Sequence, residues 1–109
     1  MPVSDAEDIF KIAHLYDLPQ LKETALHFLV ETCNTGNIIE RVFGKFALTY
    51  EEVSRAYATV FYYHWNEVKD LLEFEKFFEE LEDQEDITRR TTVNRRYREL
   101  MRSFPSQVM

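Results

Sequence analysis

Three histidines, one cysteine and twenty carboxylates are the groups in this 109-residue chain that could bind metal or move protons. A structural zinc site takes four ligands, and its cysteines or histidines recur at short fixed spacings. His14, His27 and His64 stand in no H-E-x-x-H frame, and Cys33 has no C-x-x-C partner. His64 and Glu67 share a helix face at i, i+3 and would supply two ligands. The plainer reading is a polar residue at a helix boundary. There is no glycine-rich phosphate loop, no G-x-S-x-G and no nucleophile with a visible base. Residues 1–86 carry 19 Asp+Glu, which read as a solvated face rather than as paired acids. No catalytic residue, metal ligand or cofactor is expected, and the chain reads as non-enzymatic.

The arginines offer a different chemistry. Residues 87–109 hold six Arg and one Glu, a charge of +5, whereas residues 1–86 hold 7 Lys+Arg against 19 acids, a charge of −12. The acidic body would repel nucleic acid or an anionic membrane, so only the tail could attract either. Arg90, Arg95, Arg96 and Tyr97 are its candidate contacts. They suit an acidic protein surface, on this chain or on a partner. The alternative is RNA, with phosphates on the arginines and bases stacked on Tyr97 and Phe104 across residues 89–104. Arg89-Arg90-Thr91-Thr92 also has the spacing of a basophilic kinase site at Thr92. A phosphate there is expected at a helix start, where negative charge is favoured.

The elements that carry these groups follow from composition and periodicity. Two Gly and three Pro leave little turn material, while 45% hydrophobic residues, with nine Phe and six Tyr, allow a core. Both point to helices with short connections rather than strands. Ser4 and Glu7 read as a capping box opening helix one, whose face is Ile9, Ile12, Ala13 and Tyr16. Leu18 precedes Pro19, which ends that helix near Tyr16 and opens the next. Leu21, Ala25, Phe28 and Leu29 form the second stripe. A third helix is expected over 37–47. A long fourth opens at a Thr49–Glu52 capping box and runs through Val68, with Asn66 a point of interruption. Phe74, Phe77, Phe78 and Leu81 mark a fifth over 74–82. Val93, Tyr97, Leu100, Met101 and Phe104 place a sixth, amphipathic helix in the Arg-rich tail. The expected organisation is a helical domain over 1–82, an acidic-to-basic linker over 83–90, and an Arg-rich amphipathic helix or tail over 91–109. No run is apolar enough to span a membrane, and a lone thiol suits a reducing compartment, cytoplasmic or nuclear.

The stretch V-F-Y-Y-H-W-N-E-V, residues 60–68, is denser in aromatics than one buried face needs. Tyr62, Tyr63 and Trp65 cannot all point inward on one helix. Either a second layer covers them, or they present a contact surface to a partner or a second copy.

The segment D-I-F-K-I-A-H-L-Y-D-L-P-Q-L-K-E-T-A-L-H-F-L-V-E, residues 8–31, resembles the helix pair that ends BTB/POZ domains. The matching positions are Ala13, Tyr16, Leu18, Pro19, Leu21, Lys22, Phe28 and Leu29. Residues 37–81 resemble the opening of the BACK domain that follows BTB in many proteins. That resemblance rests on Asn37, Ile38, Ala56, Phe61, His64, Val68, Glu73 and Phe74. Phe61 and His64 repeat a Phe-x-x-His stretch of speckle-type POZ proteins. Together the likeness spans about residues 4–81. The BTB sheet and the Arg tail have no counterpart in it, so the chain is expected to be a C-terminal piece of such a protein or one that kept the helical part.

The resemblance implies stacked antiparallel helical hairpins, an all-α BACK-like bundle, completed here by the amphipathic C-terminal helix. It also implies an adaptor of a cullin-RING ubiquitin ligase that binds a cullin scaffold or a substrate, self-associates, or both. The candidate cullin-facing residues are Phe43, Phe46 and Tyr50, and the self-association candidates are Tyr63 and Trp65.

Overall fold

A computed structural model describes residues 2–83 and 87–103. The described residues are all-α, with no strand. The chain divides into two compact units, Met1–Asn34 and Thr35–Met109.

The first unit is one antiparallel hairpin. Helix α1 spans Val3–Leu15 and α2 spans Pro19–Glu31, and the two pack against each other. Ser4 lies inside α1, behind Pro2 at the cap, and no side chain caps the helix, so the expected capping box does not form. The joint closes in a Schellman arrangement. Leu18 N–H donates to the Ala13 carbonyl at 2.8 Å and Asp17 N–H to His14 at 3.4 Å. Asp17 takes φ 55°, the left-handed conformation that glycine usually supplies at this place. Pro19 then starts α2 as expected, where its missing N–H costs nothing. At the far end the Cys33 thiol donates to the Leu29 carbonyl at 3.3 Å.

The buried stripe of α1 differs from the one expected. Ala6, Phe10 and Ala13 are buried, at i, i+4 and i+7. Ile12 and Tyr16 are exposed and Ile9 is half-buried. In α2, Ala25 and Leu29 are buried, Phe28 is half-buried and Leu21 is exposed. Two apolar stripes compete on α1, and periodicity alone does not rank them.

The second unit holds α3 (Ile38–Val42), α4 (Lys45–Thr49), α5 (Glu51–Tyr63), α6 (Trp65–Val68), α7 (Leu72–Asp83) and α8 (Ile87–Arg102). The single helix expected over 37–47 is broken at Phe43-Gly44. A Cβ on Gly44 would meet the Glu40 carbonyl at 2.8 Å, so the chain turns here where only glycine fits. Thr49 does not cap α5. Its hydroxyl donates to the Lys45 carbonyl at 2.7 Å, and Tyr50 occupies the cap with no side-chain bond. Glu51 and Glu52 still suit the positive end of the dipole. Val53, Tyr57 and Phe61 form the buried stripe of α5. The break after α5 falls at His64, two residues before the expected Asn66. Helix α5 packs on α3 and α4, and α7 packs on α3.

Helix α8 begins at Ile87, inside the stretch 83–90 expected as linker. It is docked on its own unit, with Val93 and Leu100 buried. Phe104, expected to complete its apolar face, and residues 84–86 of the expected linker lie outside the described residues.

Candidate protein-interaction surface

The expected contact residues scatter between core and surface, and packing decides which can meet a partner. Phe43 is fully buried. Its ring centroid lies 6.2 Å from Phe61, 5.5 Å from Phe77, 5.8 Å from Phe78 and 6.4 Å from Tyr97. As a surface contact for a cullin, Phe43 is corrected: it is the hub that joins α3, α5, α7 and α8. The reason is that Phe43 continues the buried face of Ile38, Ile39 and Val42. Phe46 and Tyr50 are half-buried and their rings lie 5.4 Å apart in a tilted arrangement.

Trp65 is half-buried, 5.4 Å from Phe61 and 5.9 Å from Phe74. Tyr63 is 83% exposed, with its ring edge-to-face on His64 at 4.9 Å. The dense aromatic stretch therefore has a covering layer over Trp65 and Tyr62 and leaves Tyr63 in solvent.

The tail residues are divided in the same way. Arg96 Nη2 donates to the Ser54 carbonyl at 2.9 Å, tying α8 to α5. Burial lowers the Arg96 pKa from its ordinary value, opposed by Glu99 and Tyr62, and its Nε is buried without a hydrogen bond. Tyr97 is half-buried, with its ring 5.1 Å from Phe78 and 6.1 Å from Phe74. The Tyr97 ring is thus engaged on other rings of its own unit, and Phe104, the other stacking candidate, lies outside the described residues. Arg90 is half-buried and its Nη1 donates to the Glu82 carbonyl at 3.2 Å. Arg95 is exposed. Thr92 lies in the second turn of α8, because the helix starts five residues earlier, so the expected dipole support for a phosphate does not apply.

The groups with metal or acid–base chemistry stay apart. His27 Nε2 lies 2.9 Å from Glu31, on the surface. His64 Nδ1 is buried and 3.7 Å from a Glu67 oxygen, beyond hydrogen-bond length. No cluster of three or more potential metal ligands occurs among the described residues. No helix among them is long and apolar enough to cross a membrane.

The feature that sequence reading missed lies at the hairpin joint. Ile12, Leu15, Tyr16, Leu18 and Leu21 are between 42% and 74% exposed, five large apolar residues within ten positions. Ile12, Leu15 and Tyr16 sit at i, i+3 and i+4, on one face of the last turn of α1. Single exposed apolar residues are ordinary, whereas five large ones within ten positions are not. The available signal was the surplus of apolar residues on α1, more than one buried stripe can use.

Comparison with protein-family models, with curated proteins and with solved structures yields no match.

Proposed function

We propose that this chain is a non-catalytic protein-interaction module that binds through the apolar face at the α1–α2 joint. The observation that carries the reading is the group Ile12, Leu15, Tyr16, Leu18 and Leu21, left in water by a hairpin that buries Ala6, Phe10, Ala13, Ala25 and Leu29. Keeping such residues exposed costs solvation free energy, about 25 cal/mol per Å² of apolar area that a partner would cover. The Schellman closure at Asp17 fixes the joint, so little ordering entropy opposes docking there.

The residue resemblance over 8–31 and 37–81 supports a more specific form of the reading. The chain is the helical part of a BTB–BACK-type adaptor, and its occupant is a cullin scaffold, a substrate or a second copy, in the cytoplasm or nucleus. Phe46, Tyr50 and Tyr63 remain its surface candidates in the second unit, each by itself a smaller apolar area than the joint.

A Leu15→Glu/Tyr16→Glu variant tests the reading. Both side chains are exposed, so helix content is expected to stay unchanged by circular dichroism. Self-association in sedimentation equilibrium, or binding to purified cullin N-terminal repeats in calorimetry, is expected to fall at least about tenfold, since two buried apolar anchors contribute more than 1.4 kcal/mol. Equal association by variant and parent chain would remove the joint as the contact face.

A further inference from the structure

Upstream of Val93, none of the described residues 87–92 is buried. This part of α8 is held by Arg90 on the Glu82 carbonyl and by local bonds such as Thr92 Oγ1 to the Thr88 carbonyl at 2.8 Å. A helix start without buried apolar side chains opens far more cheaply than the whole unit. Residues 89–93 must be drawn into the extended shape a kinase cleft requires, which costs the burial of Val93, while Tyr97 and Leu100 keep the rest of α8 in place.

The space beside Thr92 is a groove of about 460 Å³ lined by α4 and α8. Lys45, Thr49, Thr88, Arg89 and Thr92 supply its polar groups, and no carboxylate is among the lining residues. That separates it from the two grooves farther along α8, both of which carry Glu99. We propose that Thr92 is a phosphorylation site for a basophilic serine/threonine kinase, and that Lys45 and Arg89 hold the resulting phosphate in this groove. Arg89 and Arg90 stand three and two residues before Thr92. They direct a kinase while the segment is open, and Arg89 turns to the phosphate once it closes.

The step transfers the γ-phosphoryl group of ATP. Thr92 Oγ forms a bond to the γ-phosphorus, the bond to the β,γ-bridging oxygen breaks, ADP leaves and the hydroxyl proton passes to the kinase base. The product carries a charge of roughly −1.5 to −2 and three strong acceptors. Lys45 and Arg89 then meet the phosphate with charge-assisted bonds, Arg89 exchanging its present interaction for the phosphate, so modification fastens the start of α8 to α4.

The full chain is incubated with a purified basophilic kinase and Mg-ATP, and its phosphosites are mapped by mass spectrometry. Incorporation is expected at Thr92 ahead of Thr88 and Thr91, and at least about tenfold slower in Arg89→Ala/Arg90→Ala, each lost charge-assisted contact being worth a tenfold change or more. No incorporation, or preference for Thr88 or Thr91, overturns the site. Hydrogen exchange of amides 88–93 then reads the groove. Phosphorylation is expected to slow exchange about tenfold in the parent chain and to leave it unchanged in Lys45→Ala, as loss of one charge-assisted hydrogen bond predicts. Unchanged or faster exchange in the phosphorylated parent chain overturns the phosphate-holding role.

Discussion

Tyr62 Oη donates to the Leu100 carbonyl oxygen at 2.8 Å, a bond between α5 and α8 that spans 38 positions of sequence. It satisfies a carbonyl near the C-terminal end of α8, where helices run out of internal donors. With Arg96 on Ser54 it makes α8 part of the second unit rather than a free tail. Tyr62→Phe removes the donor and keeps the ring. A loss of about 1 kcal/mol is expected, the net worth of one neutral hydrogen bond. Urea unfolding followed by the fluorescence of Trp65, the single tryptophan, measures it.

The same phenol sets a pH dependence. Burial raises the Tyr62 pKa above its ordinary value, and Arg96 opposes that shift. The folded state therefore holds the proton more tightly than the unfolded state. Its contribution is fully present below the unfolded pKa, near 10, and is lost as pH rises through the higher folded value. The parent chain should lose stability more steeply above about pH 10 than Tyr62→Phe. Parallel curves for the two proteins would show that Tyr62 contributes nothing to the slope.

Phe43 is a fully buried core position shared by several helices. It meets rings from α5, α7 and α8 while being fully buried. Phe43→Ala should cost about 3–5 kcal/mol, lost transfer energy plus an unfilled cavity. Denaturant unfolding read at Trp65 checks it. A cost near that of an exposed substitution would mean that the rings do not pack as described.

The all-α class and both ends of the first hairpin joint were legible because Pro19, the scarcity of glycine and the helical spacing act locally. The stripe of α1 was legible only at Ala13, because the expected Ile9-Ile12-Ala13-Tyr16 face and the buried Ala6-Phe10-Ala13 stripe share that residue and have comparable periodicity, and only packing selects the second. Thr49 and Ser4 show why a capping box in the sequence need not cap: Ser4 lies inside α1, and Thr49 closes α4 with its hydroxyl turned back to the Lys45 carbonyl. Phe43 was seen as important for the wrong reason. Its apolar character is plain in the sequence, but which rings of α5, α7 and α8 close over it depends on packing that periodicity does not show. The docking of α8 is not legible in sequence, since an amphipathic helix looks the same whether its partner is this chain or another.

Asp17 carries a removable backbone cost. Its φ of 55° is one that a residue with a Cβ adopts against a steric penalty. Asp17→Gly should stabilise the hairpin by about 0.5–1 kcal/mol while keeping both Schellman bonds, the gain being reduced by the extra freedom of glycine in the unfolded chain. Amide exchange at Leu18, the donor to Ala13, would slow correspondingly. Faster exchange there would mean that the Asp17 side chain contributes more than its backbone strain takes away.

The arginines make a prediction by their placement. Arg95, Arg98 and Arg102 are exposed, whereas Arg96 is committed to Ser54. With Tyr97 held against Phe74 and Phe78, RNA association through the described part of α8 should be chiefly electrostatic. Its affinity should fall steeply with salt and vanish in Arg95→Glu/Arg98→Glu/Arg102→Glu without loss of helix content. Salt-resistant RNA binding by the parent chain would restore a stacking role for Tyr97.

The central claim is that the α1–α2 joint is the contact face. Two-dimensional ¹⁵N NMR of the chain, recorded on dilution and on titration with purified cullin N-terminal repeats, tests it most directly. The amide signals of Ile12, Leu15, Tyr16, Leu18 and Leu21 should shift or broaden together in at least one series. Signals from residues 12–21 that stay fixed in both series would contradict it.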